Sequence, residues 1–208
     1  MYVPAHFAPD DEAVHELLAN HGAADLVTMT SNGLVATMLP FVYDRERGVL
    51  RGHLARNNDH WCQEIIGDAL VIARGPDSYI TPAWYASKAE HGRVVPTWNY
   101  LAAHVHGTLT VHDDPSWVGN LVRELTDRHE RSRPHPWSVD DAPEQFVAGQ
   151  LRAIVGVEVT IKRVEAKFKL SQNRSAADVD GVITGLREAG DAAGADAVAR
   201  WNDLSGRR

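Results

Sequence analysis

The longest strand-like alternation of apolar and polar positions covers residues 94–111, read VVPTWNYLAAHVHGTLTV. Leu101, Val105, Leu109 and Val111 share one face, and Tyr100, His104, His106, Thr108 and Thr110 share the other, as the two-residue period of a strand requires. Trp98 falls on the second face with Tyr100 and the imidazoles. A solvent-facing strand more often carries Lys, Glu and Thr. This one makes a wall suited to a flat, partly polar ligand, or equally to a subunit interface.

Shorter patterns place the other elements. Asp10 is predicted to cap a helix with Asp11 and Glu12 in its first turn, Val14, Leu17 and Leu18 as its stripe and Gly22 as its stop. Residues 26–30 and 34–41 read as a hairpin turning at Ser31-Asn32-Gly33, with Pro40 marking a strand end or an edge. A charged turn over 43–48 leads to a strand at 49–54. A helix is then predicted from Asn57 or Asn58 to about Ile66, with Trp61, Ile65 and Ile66 inward. Residues 69–73 form a strand closed by Gly75-Pro76, followed by the aromatic, turn-forming stretch 79–85, which packs as a lid over a core or flanks a ring system.

Further helices are predicted after Asp113 or Asp114, with Trp117, Val118, Leu121, Val122 and Leu125 buried, and after Asp140 or Asp141, with Phe146, Val147 and Leu151 inward. Residues 129–137 between them read as a mobile loop. Val155, Val157, Val159 and Ile161 alternate with Gly156, Glu158, Thr160 and Lys162 as a half-buried strand. Ser175 caps a last helix carrying Val179, Val182, Ile183 and Leu186, and the Ala- and Gly-rich tail reads as weakly helical or frayed. About six short strands interrupted by helices suit an antiparallel Greek-key barrel with peripheral helices, mainly β or α+β, rather than a doubly wound parallel sheet. The expected organisation is one domain over 1–208, with 175–208 as a helical extension.

Composition narrows the function classes. The chain has 208 residues, 44% hydrophobic and 24% charged, enough for one substantial core. A net charge of -7 opposes a chain-wide nucleic-acid footprint. Cys62 is the single cysteine, so no intramolecular disulfide forms, which fits a reducing compartment; with no long apolar run, a cytoplasmic, membrane-free protein is expected. Cys62 itself is placed in the core.

No phosphate-cradling Gly-Lys-Ser/Thr run, GxGxxG or GxSxG occurs. His104 and His106 share a face but lack a visible third metal ligand. Two anion sites stand out. In one, the strand ending at His53 feeds Arg56, Asn57 and Asn58, where a guanidinium and a helix N-terminus converge. In the other, residues 162–174 (KRVEAKFKLSQNR) hold five basic residues and one acid in an otherwise acidic chain.

The motifs Met1-Tyr2-Val3-Pro4, Gly52-His53-Leu54-Ala55-Arg56-Asn57, Gly75-Pro76, Tyr79-Ile80, Trp84-Tyr85, Thr97-Trp98-Asn99-Tyr100 and Lys169-Leu170-Ser171-Gln172-Asn173-Arg174 occur in this order. Together they resemble the PaiB family of FMN-binding negative transcriptional regulators over residues 1 to about 186. The resemblance implies an FMN-binding split barrel, a homodimer with cofactor pockets at the subunit interface, and a redox or regulatory role. Met38 stands where such proteins commonly carry His before Leu-Pro.

On this reading Arg56, Asn57, Lys167, Lys169 and Gln172 meet the cofactor's anionic part, and Thr97, Trp98, Asn99 and Tyr100 line its ring. Piperazate synthases resemble the same family but use haem b to form the N–N bond of piperazic acid from N5-hydroxyornithine. In that alternative His53 is the expected iron ligand and cofactor contact, with His106 or Lys169 moving protons. A cofactor-poor transcriptional regulator is a further alternative, and it alone brings nucleic acid in as a partner.

Overall fold

Asp10 accepts the Ala13 amide at 2.9 Å and opens α1 (Asp11–Asn20). The predicted hairpin follows as β1 (Ala23–Thr30) and β2 (Gly33–Pro40), with Gly33 at φ 109°, a conformation costly for side-chain-bearing residues. Next come β3 (Val42–Asp44), β4 (Val49–Ala55), β5 (Ala69–Ile80), α2 (Ser87–His91) and β6 (Thr97–His112). The chain ends with α3 (Pro115–Glu130), α4 (Glu144–Arg152), β7 (Ile154–Lys169), α5 (Ala176–Glu188) and α6 (Ala192–Ser205). This computed structural model describes residues 1–205.

The residues fall into two units. One comprises Leu18–Ala73 and His104–Val164. It holds all of β1 to β4 and part of β5, β6 and β7, strands that follow the hydrogen-bonded order β2-β1-β5-β6-β7-β4-β3 in an antiparallel sheet. Gly52 explains how the sheet curls: a Cβ there would lie 2.7 Å from Leu39 Cδ1 and 3.0 Å from the Pro40 carbonyl, so β4 and the end of β2 approach too closely for a side chain. Gly107 does the same for β6 against β7, where a Cβ would lie 2.1 Å from the Thr160 carbonyl oxygen. Val42, Leu121 and Leu125 seat α3. β7 departs from simple alternation, because Gly156 and Glu158 are buried as well as Val155, Val157 and Val159. Trp117 stacks on His112 at 4.1 Å and lies over Gly156, while Arg47 reaches Glu158 at 3.3 Å.

The other unit comprises Met1–Leu17, Arg74–Ala103 and Glu165–Arg208. Trp84 packs against α5, where a Cβ at Gly181 or Gly185 would lie within 2.0 or 2.3 Å of it. The Asp178 carboxylate accepts both the amide and the hydroxyl of Ser87, at 2.9 and 2.8 Å. The stretch after Ile80 is thus docked on a helix. The tail is an ordered helix, with Ala195 and Val198 buried and Trp201 edge-on to Phe168 at 4.9 Å.

Several local expectations are corrected. No α-helix runs from Asn58 to Ile66; a short 3-10 turn, Asp59–Cys62, is followed by an extended bridge of Ile65 to Thr30. Buried contacts of His60 and the Ile66 amide bond to Met29 (2.8 Å) hold this segment flat. Cys62 is consequently exposed rather than core, and Ile66 faces out. Gly75-Pro76 does not close β5, because Gly75 leaves room for Leu101 Cβ at 3.1 Å and the strand continues to Ile80. Phe146 is 57% exposed on α4, which starts after Pro143 rather than at Asp140.

Candidate functional site

Two sequence blocks that are 72 residues apart are tied together in the unit containing the ends of β6 and β7. Lys169 donates to Thr97 Oγ1 and to the Trp98 carbonyl, the latter at 2.6 Å. Asn99 donates to the buried Ser171 Oγ at 3.0 Å. Ser171 has φ 69°, a strained conformation for a non-glycine residue, and the Asn99 contact helps to hold it. Gln172 folds back on its own loop, accepting from the Leu170 amide at 2.7 Å and donating to the Phe168 carbonyl at 2.6 Å. It shapes the turn that presents Lys169.

The charge around this turn is one-sided. Burial, then repulsion from Lys167 and Arg174, holds the Lys169 ammonium below the usual lysine range. Lys167 sits 5.7 to 5.8 Å from the ring centres of Tyr2, Phe7 and Tyr100, a cation–π arrangement. Arg174 lies 4.4 Å over Tyr85. A lysine ammonium has three donors; Lys169 uses two of them within the chain, leaving one for a ligand. Trp98, half-exposed, is oriented by its bond to Asp77 at 2.7 Å and by Tyr79 edge-on at 6.2 Å. An anion beside a flat ring fits this donor set.

The remaining sequence candidates lie in the other unit. His53, on β4 opposite Gly156, lines a 260 Å³ cleft with Pro40, Leu125, His129, Glu130 and Trp137. Its Nδ1 is buried without a partner, and burial lowers its pKa, so the imidazole is neutral at pH 7. Arg56 is already occupied: its Nε donates to the Arg152 carbonyl (2.7 Å), and its two terminal nitrogens grip Asp113 at 3.0 and 2.5 Å. Asn57 is exposed beside it. His106 Nε2 is buried without a partner on β6.

The sequence reading missed the partners that define these roles. Asp113 was seen only as a helix cap, and nothing in its spacing marks it as the mate of Arg56. Ser171 stood within a recognised motif, but no sequence signal announces its backbone conformation. His60, a further histidine open to the haem alternative from sequence, is instead fully buried between Thr28 (2.7 Å to Nε2) and Thr37 (2.9 Å to Nδ1), so both ring nitrogens are engaged.

Burial lowers the pKa of His21, His53 and His60 from 6.5. Below 6.5 the unfolded chain binds protons that the folded chain resists, so stability is full above that pH and falls as pH drops toward the folded values. We expect a lower urea midpoint at pH 5.5 than at pH 7.5. An equal or higher midpoint in acid is the contrary result.

The family model described as "Putative FMN-binding domain" matches residues 1–163. Protease synthase and sporulation protein PAI 2 of Bacillus subtilis is 30% identical over 194 residues, 90% of this chain and 89% of that protein. An uncharacterized protein of Emericella nidulans is 31% identical over 234 residues, 93% of each. Among solved structures, the FAD and heme binding protein of Mycobacterium smegmatis aligns with TM-score 0.54 at 18% identity, covering 77% of this chain and 71% of that one. The shared fold is the split barrel expected from the sequence. Among the described residues no helix is long and apolar enough to cross a membrane.

Proposed function

Since the chain belongs to the FMN-binding-domain family whose model matches residues 1–163, we propose that it binds FMN, with the phosphate on Lys169 and Lys167 and the ring beside Trp98 and Tyr100. The observation that carries this reading is the cation cluster of Lys167, Lys169 and Arg174 at one turn, where repulsion adds to burial in holding the Lys169 pKa down. A phosphate relieves that repulsion and accepts the remaining Lys169 donor. Thr97 orients the amine, and Asn99 supports the Lys169–Gln172 turn through Ser171. Arg56 holds the ends of its strands through Asp113 rather than meeting phosphate, and Asn57 stays a peripheral contact. Bound FMN supplies one- or two-electron redox chemistry.

The proposal includes a homodimer. On the outer face of the β1–β2 hairpin, Met29 faces Leu34, Val27 faces Ala36 and Asp25 faces Met38, with Leu34 71% and Met38 70% exposed. An uncovered apolar strand face of this kind marks an interface. The test is quenching of FMN fluorescence as protein is added, with sedimentation on the same sample. Saturation at one FMN per chain and a mass twice 22.9 kDa is the expected result; unquenched FMN defeats the cofactor reading, and a single-chain mass defeats the dimer.

A second reading rests on His53. A neutral imidazole with an orphaned buried nitrogen, walled by Pro40, Leu125 and Trp137, suits a haem iron ligand. Under it the protein is an N–N bond-forming haem enzyme of the piperazate-synthase kind, with His106, on the same unit as His53, as the proton carrier. We expect hemin to give a sharpened Soret band that His53→Ala abolishes or shifts. An identical band with His53→Ala removes His53 as the ligand.

A further inference from the structure

Arg128 and Arg131 stand three residues apart at the C-terminal end of α3, a spacing that puts both side chains on one helix face. With Asn20 and Tyr43 they line a 450 Å³ cleft in the unit that holds the sheet, a size ordinary for a small-molecule site. Neither guanidinium forms an ion pair among the described residues. Glu124 also lines the cleft, but Arg51 holds both of its oxygens, at 2.9 and 3.0 Å. Burial and the Arg131 charge both weigh against the protonated form of Arg128, and Glu124 opposes them only in part. The helix dipole favours cations at this end of α3. It does not explain why two converge on one cleft whose acid is already engaged.

We propose that this cleft binds a dianionic oxyanion of the phosphate-monoester class, gripped by the forks of Arg128 and Arg131. Two guanidiniums match two negative charges, and their planar donors suit tetrahedral oxyanions better than a lysine would. A second anion site on the sheet unit follows, apart from the Lys169 turn.

The test is thermal unfolding of the protein supplied with one FMN per chain, so that no excess FMN, itself a phosphate monoester, competes for the cleft, with sodium chloride replaced by inorganic phosphate at constant ionic strength and pH 7.5. FMN then already fills its own site. A ligand that binds only the folded state raises the midpoint in a saturable way. Arg128→Ala and Arg131→Ala should each need at least about tenfold more phosphate for the same rise, the loss of one or more charge-assisted hydrogen bonds. Arg133→Ala serves as control, since Arg133 pairs with Glu130 at 3.0 Å on the exposed surface and should respond as wild type. Phosphate also stabilises proteins by exclusion from their surface, an effect that all four proteins would share. An equal response of Arg128→Ala and wild type, or no response beyond that of chloride, overturns the proposal. If Arg128→Ala lowers the midpoint sharply without phosphate, the pair serves the helix end instead, and that too counts against it.

Discussion

Lys169→Ala is expected to weaken FMN binding about tenfold to a hundredfold while leaving riboflavin binding nearly unchanged. The size follows from one charge-assisted hydrogen bond, about 1.5–3 kcal/mol, and each 1.4 kcal/mol is tenfold in affinity. The selectivity follows from position. Lys169 is anchored on Thr97 Oγ1 and the Trp98 carbonyl, with one donor left to face a phosphate that riboflavin lacks. Lys162 lies on the same strand but pairs with Asp68 at 2.6 Å, so Lys162→Ala should bind FMN as wild type does. Fluorescence titrations of both flavins against the three proteins decide the matter. Equal FMN affinity of Lys169→Ala and wild type would show that the phosphate lies elsewhere.

His60→Ala should cost about 3 kcal/mol of stability, the sum of a cavity and of two hydroxyls left without their partner. His60 is completely buried, and each ring nitrogen meets a threonine, Thr28 on β1 and Thr37 on β2. A neutral imidazole donates once and accepts once, and hydroxyls can supply the complement of either. Asn58 accepts the His60 amide at 3.0 Å and donates to Thr37 at 3.2 Å, so the network also ties the turn after β4 to the hairpin. At roughly 2–4 °C per kcal/mol for a chain of this size, the thermal midpoint should drop by about 6–12 °C. Thr37→Val, which removes one contact and keeps the volume, should cost less. A midpoint within a degree or two of wild type for His60→Ala would mean that the buried network contributes little.

The parts of this fold that are local in sequence could be read from it. The Asn32-Gly33 turn, the Asp10, Asp114 and Ser175 caps and the alternation around Val105 each depend on a few neighbouring residues. What could not be read depends on distant partners. The segment after Asn58 has helix-compatible spacing, yet His60 and Ile65 are drawn flat onto β1 and β2 by contacts about thirty residues away. β7 looked half-buried until Trp117 and His112 covered its second face.

The candidate site follows the same rule. Thr97-Trp98-Asn99-Tyr100 and Lys169-Leu170-Ser171-Gln172 were recognisable as blocks, but only the structure joins Lys169 to Thr97 and Ser171 to Asn99. It also gives Arg56 a bidentate carboxylate partner, Asp113, that spacing does not reveal. Arg128 and Arg131 drew no notice in the sequence, because a pair of arginines near a helix end is ordinary until the cleft beside them is seen.

The most direct test of the central claim is an absorption spectrum of the purified protein, repeated on separate aliquots after adding FMN and hemin and removing unbound ligand. The account predicts that the paired flavin bands stay with the protein at one FMN per chain and that Lys169→Ala loses them. A protein that retains no flavin, whether it then takes up hemin or stays colourless, contradicts it.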